Sequence, residues 1–214
     1  SEEQFLEAIK AYETLLQNAS KPVTYANLLF ACNSTDPSIG AFLADQSERY
    51  SQLVVKVLFF DLEVQDLPTE LVSKWKSSSV LAPYRHYLEV AEAHKLHKLS
   101  EPEEVVLEET ANTGARAWVR YYEELLANAV FTYKSPEGEV QELTEPEVLA
   151  LLRNPNRDVR LAAADSLTEG LEKLEKSIVF IYNTLMQDKK VGDRLRKHPY
   201  ATHSRHMSNE LPKE

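Results

Sequence analysis

The sequence predicts an all-α protein, a bundle or array of long antiparallel helices carrying one small β-hairpin near residues 130–143. Three observations predict it. Only 5 glycines occur among 214 residues, well below the roughly 7% of an average protein, so few tight turns are available. Prolines follow capping residues, at Asp36-Pro37, Ser100-Glu101-Pro102, Thr144-Glu145-Pro146 and Asn154-Pro155. There the cap oxygen accepts a free N–H of the first turn, and proline at that turn gives up no donor the helix needs. Between these signals, apolar residues recur every three and four positions.

Helices are expected at 3–18 and 23–33, and then at 38–62, where Phe42, Leu43, Tyr50, Leu53, Val54, Val57 and Leu58 form the stripe. Further helices are expected at 68–75, 82–98, 102–112 and 114–128. Val130-Phe131-Thr132-Tyr133-Lys134 is β-branched and aromatic, Ser135-Pro136-Glu137-Gly138 is a turn, and Glu139 to Leu143 follows as a second strand. Two strands alone are marginal in water, so this hairpin must lean on helices. After 145–152, a long helix at 156–188 carries the stripe Val159, Ala163, Leu167, Leu171, Leu174, Ile178, Ile181 and Leu185. Gly170 interrupts it at a cost of about 1 kcal/mol relative to alanine, which suggests a bend.

Thr113-Gly114 reads as a helix break. It divides the chain into an N-terminal helical lobe at 1–112 and a second lobe at 113–197, which holds the hairpin and the long helix. The stretch 198–208 has no period and reads as a linker, and Asn209 to Glu214 reads as the start of a new helix.

Composition excludes several classes. The formal net charge of −10 speaks against a nucleic-acid partner, because phosphate binding needs a basic face. The one basic cluster, Lys189, Lys190, Arg194, Arg196, Lys197 and Arg205, reads as cations gathered at a helix C-terminus, where the dipole favours them. No apolar run approaches the roughly 20 residues of a membrane span. The single cysteine, Cys32, rules out an internal disulfide and reads as a small buried residue in Leu28-Leu29-Phe30-Ala31.

Two histidine groups are candidate metal ligands. His94 and His97 stand at i and i+3 on one helical face, but Glu89 and Glu92 complete no ligand pattern and Lys95 and Lys98 would repel a cation. They read as surface residues. His198, His203 and His206 lie in the expected linker. Neither group closes a tetrahedral site by itself, so no catalytic or metal residue is assigned to this chain, and no stoichiometric zinc is expected to bind it. The sequence contains no His-Glu-x-x-His, glycine-rich phosphate loop or Gly-x-Ser-x-Gly. Asn154 to Ala164 taken alone resembles the second helix of a HEAT-type repeat, but no second copy occurs, as an array would need.

Two stretches carry a more specific resemblance. The first runs through Tyr84-Arg85-His86-Tyr87-Leu88, His97-Lys98-Leu99-Ser100-Glu101-Pro102-Glu103-Glu104 and Leu107-Glu108-Glu109. The second holds Thr113-Gly114-Ala115-Arg116-Ala117-Trp118, Tyr121-Tyr122, Asn156-Arg157-Asp158-Val159-Arg160 and Ile181-Tyr182-Asn183-Thr184-Leu185-Met186-Gln187-Asp188-Lys189. Together they resemble the N-terminal half of oligoendopeptidase F-type zinc metallopeptidases, relatives of thimet oligopeptidase. The resemblance is good over about 80–214 and general over the first 80 residues.

It implies a cytoplasmic parent enzyme that hydrolyses short peptides with a zinc held outside this chain, by a His-Glu-x-x-His motif and a later glutamate. The motif's glutamate would activate the zinc-bound water. This chain would be an inactive, non-catalytic part of the channel wall, residues 198–214 leading into the absent catalytic domain. Its partners would be oligopeptides, that domain and, for the isolated chain, a second copy. Its substrate-binding residues are unknown from sequence. The rival expectation is a helical adaptor or scaffold without enzymatic activity.

Overall fold

The computed structural model describes residues 1–211. Helix α1, Glu2–Cys32, starts at a capping box in which Ser1 and Gln4 satisfy each other's backbone N–H. Helix α2, Pro37–Asp66, starts where Asp36 accepts from the Ser38 N–H at 2.8 Å, with Pro37 in the first turn. The two run antiparallel: Phe5 and Tyr12 stack on Phe60, and Tyr25 meets Phe42 edge-on.

The break expected between 18 and 23 does not occur, because α1 passes through Pro22. Proline in a helix interior costs about 3 kcal/mol. The packing of Ile9 near one end and of Ala26 and Phe30 near the other outweighs that local signal; Ala26 and Phe30 form a small cluster with Leu43 of α2.

At the opposite end a larger core gathers Val64, Val72, Trp75, Leu81, Leu88 and Ala91. It draws on α3 (Thr69–Lys76), a 3-10 turn (Ala82–Tyr84) and α4 (Arg85–His94). A second 3-10 turn, Lys95–His97, leads to α5 (Glu101–Ala111), which Ser100 and Glu103 start as a capping box. Helix α6 is Ala115–Ala127.

Strands β1 (Phe131–Lys134) and β2 (Val140–Leu143) pair antiparallel, with Phe131 opposite Leu143 and Lys134 opposite Val140. Gly138 supplies the positive φ, +92°, that the turn requires. Helix α7 (Glu145–Leu151) then leads to α8, Arg157–Leu195, a single helix of 39 residues. Phe131 and Tyr133 are buried with Val148 of α7 and Ala163 of α8, so the hairpin leans on helices as two strands must. Gly170 does not interrupt α8. An added Cβ would overlap Phe131 Cδ1 and stand 2.5 Å from Cε1. The glycine is there to let the ring approach the helix backbone.

The expected linker is ordered. Lys197 adopts φ 56°, and the N–H groups of His198 and Lys197 return to the carbonyls of Asp193 and Arg194, a Schellman closure of α8. Helix α9, His203–Ser208, follows. Asn209 caps its C-terminus rather than opening a new helix. The remainder of that expected helix, Pro212 to Glu214, lies outside the described residues.

Candidate functional site

The end of α8 is held by polar contacts to a segment about a hundred residues earlier. Arg196 grips Glu104 of α5 with both terminal nitrogens, at 2.6 and 2.7 Å, and reaches the His97 carbonyl at 3.3 Å. A forked pair of this kind fixes direction as well as charge. Burial alone would raise the Glu104 pKa. The Arg196 hydrogen bonds and the Leu99 N–H outweigh that and hold the carboxyl below its usual range. His97 Nδ1 donates to the Arg196 carbonyl at 2.8 Å. A carbonyl can only accept, so that nitrogen carries the proton.

The Schellman turn then brings His198 onto this residue. Its ring stacks on His97 with centroids 4.4 Å apart, and His203 stands edge-on to His97 at 4.9 Å. His198 Nδ1 and His203 Nδ1 are 2.9 Å apart, so one donates to the other. All three rings are half-buried, and one ligand nitrogen of each lies within 4.8 Å of the others. Burial, and then the positive charge that His97 and His203 can carry, lower the His198 pKa. Tyr200 packs edge-on against His203 at 5.0 Å.

The structure regroups the candidate residues of the sequence. His97 joins His198 and His203. His94 does not, since its Nδ1 donates to the Val90 carbonyl of its own helix, and His206 contacts the Tyr200 ring instead. Lys95 bonds the Leu67 carbonyl at 2.8 Å and Lys98 pairs with Asp66, so both ammonium groups are committed to the end of α2. Glu92 pairs with Lys76 at 2.7 Å. Cys32 is exposed, not buried, because the last turn of α1 turns Phe30, not Cys32, toward α2. Lys189 of the basic cluster bridges to the Ala201 carbonyl and Ser204, so it helps hold the turn before α9. No sequence signal joins His97 to His198, because the contact depends on how the 3-10 turn at Lys95–His97 meets the end of α8.

Two other polar groups tie helices together. Arg116 of α6 pairs with Glu108 of α5 and also donates to Ser51 of α2. Asp61 accepts from Tyr12 and Tyr87, at 2.5 and 2.9 Å. A groove of about 580 Å³ runs between α1 and α2, lined chiefly by apolar and aromatic side chains such as Phe5, Ala8, Tyr12, Val57 and Phe60. Among the described residues no helix is long and apolar enough to cross a membrane.

A family model described as Oligopeptidase F matches residues 63–131. That segment spans the end of α2 through the first residue of β1, which is where the main core and the Glu104 and Arg116 ties originate. The resemblance read from the sequence, to the N-terminal region of oligoendopeptidase F-type peptidases, is borne out.

The group B oligopeptidase PepB of Streptococcus agalactiae serotype III (strain NEM316) is 23% identical over 218 residues, covering all of this chain and 36% of the relative. The crystal structure of oligoendopeptidase-F from Enterococcus faecium superposes with a TM-score of 0.81 at 22% identity, over 99% of this chain and 41% of that one. A putative peptidase from Chlamydophila abortus superposes with a TM-score of 0.67 at 17% identity, over 99% and 36%. The chain therefore has an oligoendopeptidase F-like fold throughout and spans little more than a third of the curated relative's length.

Proposed function

We propose that this chain is the non-catalytic N-terminal region of a cytoplasmic zinc metalloendopeptidase acting on short peptides, and that its helices form part of the wall of the substrate channel. The observation that carries the reading is the superposition on oligoendopeptidase-F, with a TM-score of 0.81 over 99% of the chain. The surface is consistent with a large intramolecular partner. Val179, Phe180, Tyr182 and Met186 of α8 are exposed apolar residues, and a contiguous apolar patch on a soluble protein marks an interaction site.

The family's zinc set, His-Glu-x-x-His with a further glutamate, does not occur in these 214 residues. The chain's own side chains do not supply it, so the hydrolytic step belongs to residues outside these helices. What the helices can contribute is shape: a rigid wall that binds and orients an extended peptide and keeps bulk water and folded proteins from the reacting bond.

The test compares the whole reading frame with the 214-residue chain in cleavage of a short quenched-fluorescent peptide. The expected result is chelator-sensitive cleavage by the former and none by the latter. No cleavage by the whole protein would favour the adaptor reading. Cleavage by the 214-residue chain alone would overturn the non-catalytic assignment.

A further inference from the structure

We propose that His97, His198 and His203 form a binding site for one divalent transition-metal ion of the zinc class, which staples the end of α8 and the start of α9 to the turn after α4. The donor set is the first argument. Three imidazoles suit zinc, cobalt, nickel or copper and do not suit magnesium or calcium, which take oxygen ligands. Three protein nitrogens leave a fourth tetrahedral position for water.

Geometry is the second argument. Nitrogens bound to zinc at 2.0–2.1 Å in a tetrahedron stand about 3.4 Å apart. The His198–His203 pair at 2.9 Å has to open by about 0.5 Å to reach that spacing. The widest separation, at most 4.8 Å, has to close by about 1.4 Å. Both changes require the stacked His97 and His198 rings to turn so that their in-plane lone pairs converge, which half-buried side chains have room to do.

The third argument is preparation of the first ligand. The Nδ1–H of His97 is committed to the Arg196 carbonyl, so the neutral ring keeps its Nε2 lone pair for an ion. A backbone carbonyl that fixes the tautomer of a ligating histidine is the usual outer shell of a metal site. Between His198 and His203 a single proton is shared at the Nδ1 pair, and shifting it to an Nε2 frees both lone pairs.

Charge does not stand in the way. Arg196, which contacts His97, is neutralised by its forked pair with Glu104. Lys189 is paired with Asp193, Lys98 with Asp66, and Lys95 donates to the Leu67 carbonyl at the C-terminal end of α2. The site joins His97 to residues 101 and 106 positions later, so binding would hold together elements that no local interaction connects.

The experiment is titration of the metal-free 214-residue chain with cobalt(II), read by visible absorption, followed by displacement with zinc. The expected result is one cobalt per chain with the intense bands of tetrahedral coordination, and a melting temperature raised by zinc. His198→Ala and His203→Ala should each weaken binding at least ~100-fold, since losing even an outer-shell partner costs ~10–100-fold. His94→Ala and His206→Ala should leave it unchanged.

Far-ultraviolet circular dichroism checks that each variant keeps its helix content. If His203→Ala does not, His203→Gln, which retains a hydrogen-bonding side chain, carries the same readout. Absence of saturable cobalt binding, or binding equally tight in the His198 and His203 variants, overturns the proposal.

Discussion

The two halves of α8 are built on opposite principles. In the first half the buried positions are small, Ala163, Ser166 and Gly170, and the partner is the β1 hairpin with α7, folded from the residues just before it. In the second half Ile181 alone is buried, while Val179, Tyr182 and Met186 are 47%, 61% and 43% exposed. That half is anchored at its end by Arg196, Glu104 and the three histidines. One helix thus carries a close-packed apolar seam with a partner near in sequence and, in its second half, an aromatic contact of Phe180 with Trp118 of α6 and a polar junction at its end, both with partners far away in sequence. Packing at an apolar seam tolerates almost no added volume, whereas a hydrogen-bonded junction loses only what its bonds contribute.

The largest effect is expected where the seam is tightest. Gly170→Ala gains about 1 kcal/mol of helix propensity. The new methyl meets the ring of Phe131, which is fully buried and cannot swing aside. Overpacking of this kind costs about 1–3 kcal/mol and occasionally more. An overlap this deep belongs at the upper end, about 3 kcal/mol, so after the propensity gain the net expectation is a loss of about 2 kcal/mol in urea unfolding. Adding Phe131→Leu should recover part of the loss in the double variant, because neighbouring substitutions are coupled. A stabilised Gly170→Ala protein would sink the close-approach account.

The junction should respond more mildly. Arg196→Ala removes a forked charge-assisted pair whose members are 33% and 12% exposed, and should lower stability by about 1.5 kcal/mol. The pH dependence follows in sign. The Glu104 carboxyl is held below its ordinary value in the fold. Its contribution is therefore present above the unfolded carboxylate pKa, about 4.3. It disappears as pH falls through the lower folded value. Stability measured from pH 5 downward should thus fall more steeply in the parent chain than in Arg196→Ala. Parallel curves would show that the pair is not what tunes Glu104.

The same contrast explains what the sequence revealed. The hairpin was legible because β-branched and aromatic residues flank a Pro-Glu-Gly turn, and α8 was legible from its stripe. The family resemblance was legible in ordered landmarks from Tyr84 to Lys189. Pro22 misled, because a proline signal is local and the α1–α2 packing that overrides it is not. Gly170 misled for the same reason: its partner, Phe131, is 39 positions away. The histidine cluster was illegible because its members come from two groups that each look incomplete, and only the meeting of the 3-10 turn before α5 with the end of α8 unites them.

The smallest effect on stability is expected on the exposed face of α8, and it separates folding from assembly. Tyr182 is an exposed side chain on the half of the helix that has one buried residue, Ile181. Tyr182→Lys should change unfolding free energy by less than about 0.5 kcal/mol, as surface substitutions do. The isolated chain, however, should self-associate through its uncovered apolar residues, with Phe59 of α2 exposed as well. Burying several hundred Å² of such surface contributes roughly 25 cal/mol per Å², less the cost of association. The net charge of −10 opposes this, but at physiological salt its reach is only about 8 Å. Sedimentation at micromolar concentration should therefore show reversible association of the parent chain. Tyr182→Lys should weaken it by at least about tenfold, since burying one aromatic side chain contributes roughly 1.5–3 kcal/mol. A monomer at every concentration would mean that the exposed face of α8 needs no cover. A Tyr182→Lys chain as destabilised as Gly170→Ala would mean that the two halves of the helix are not different after all.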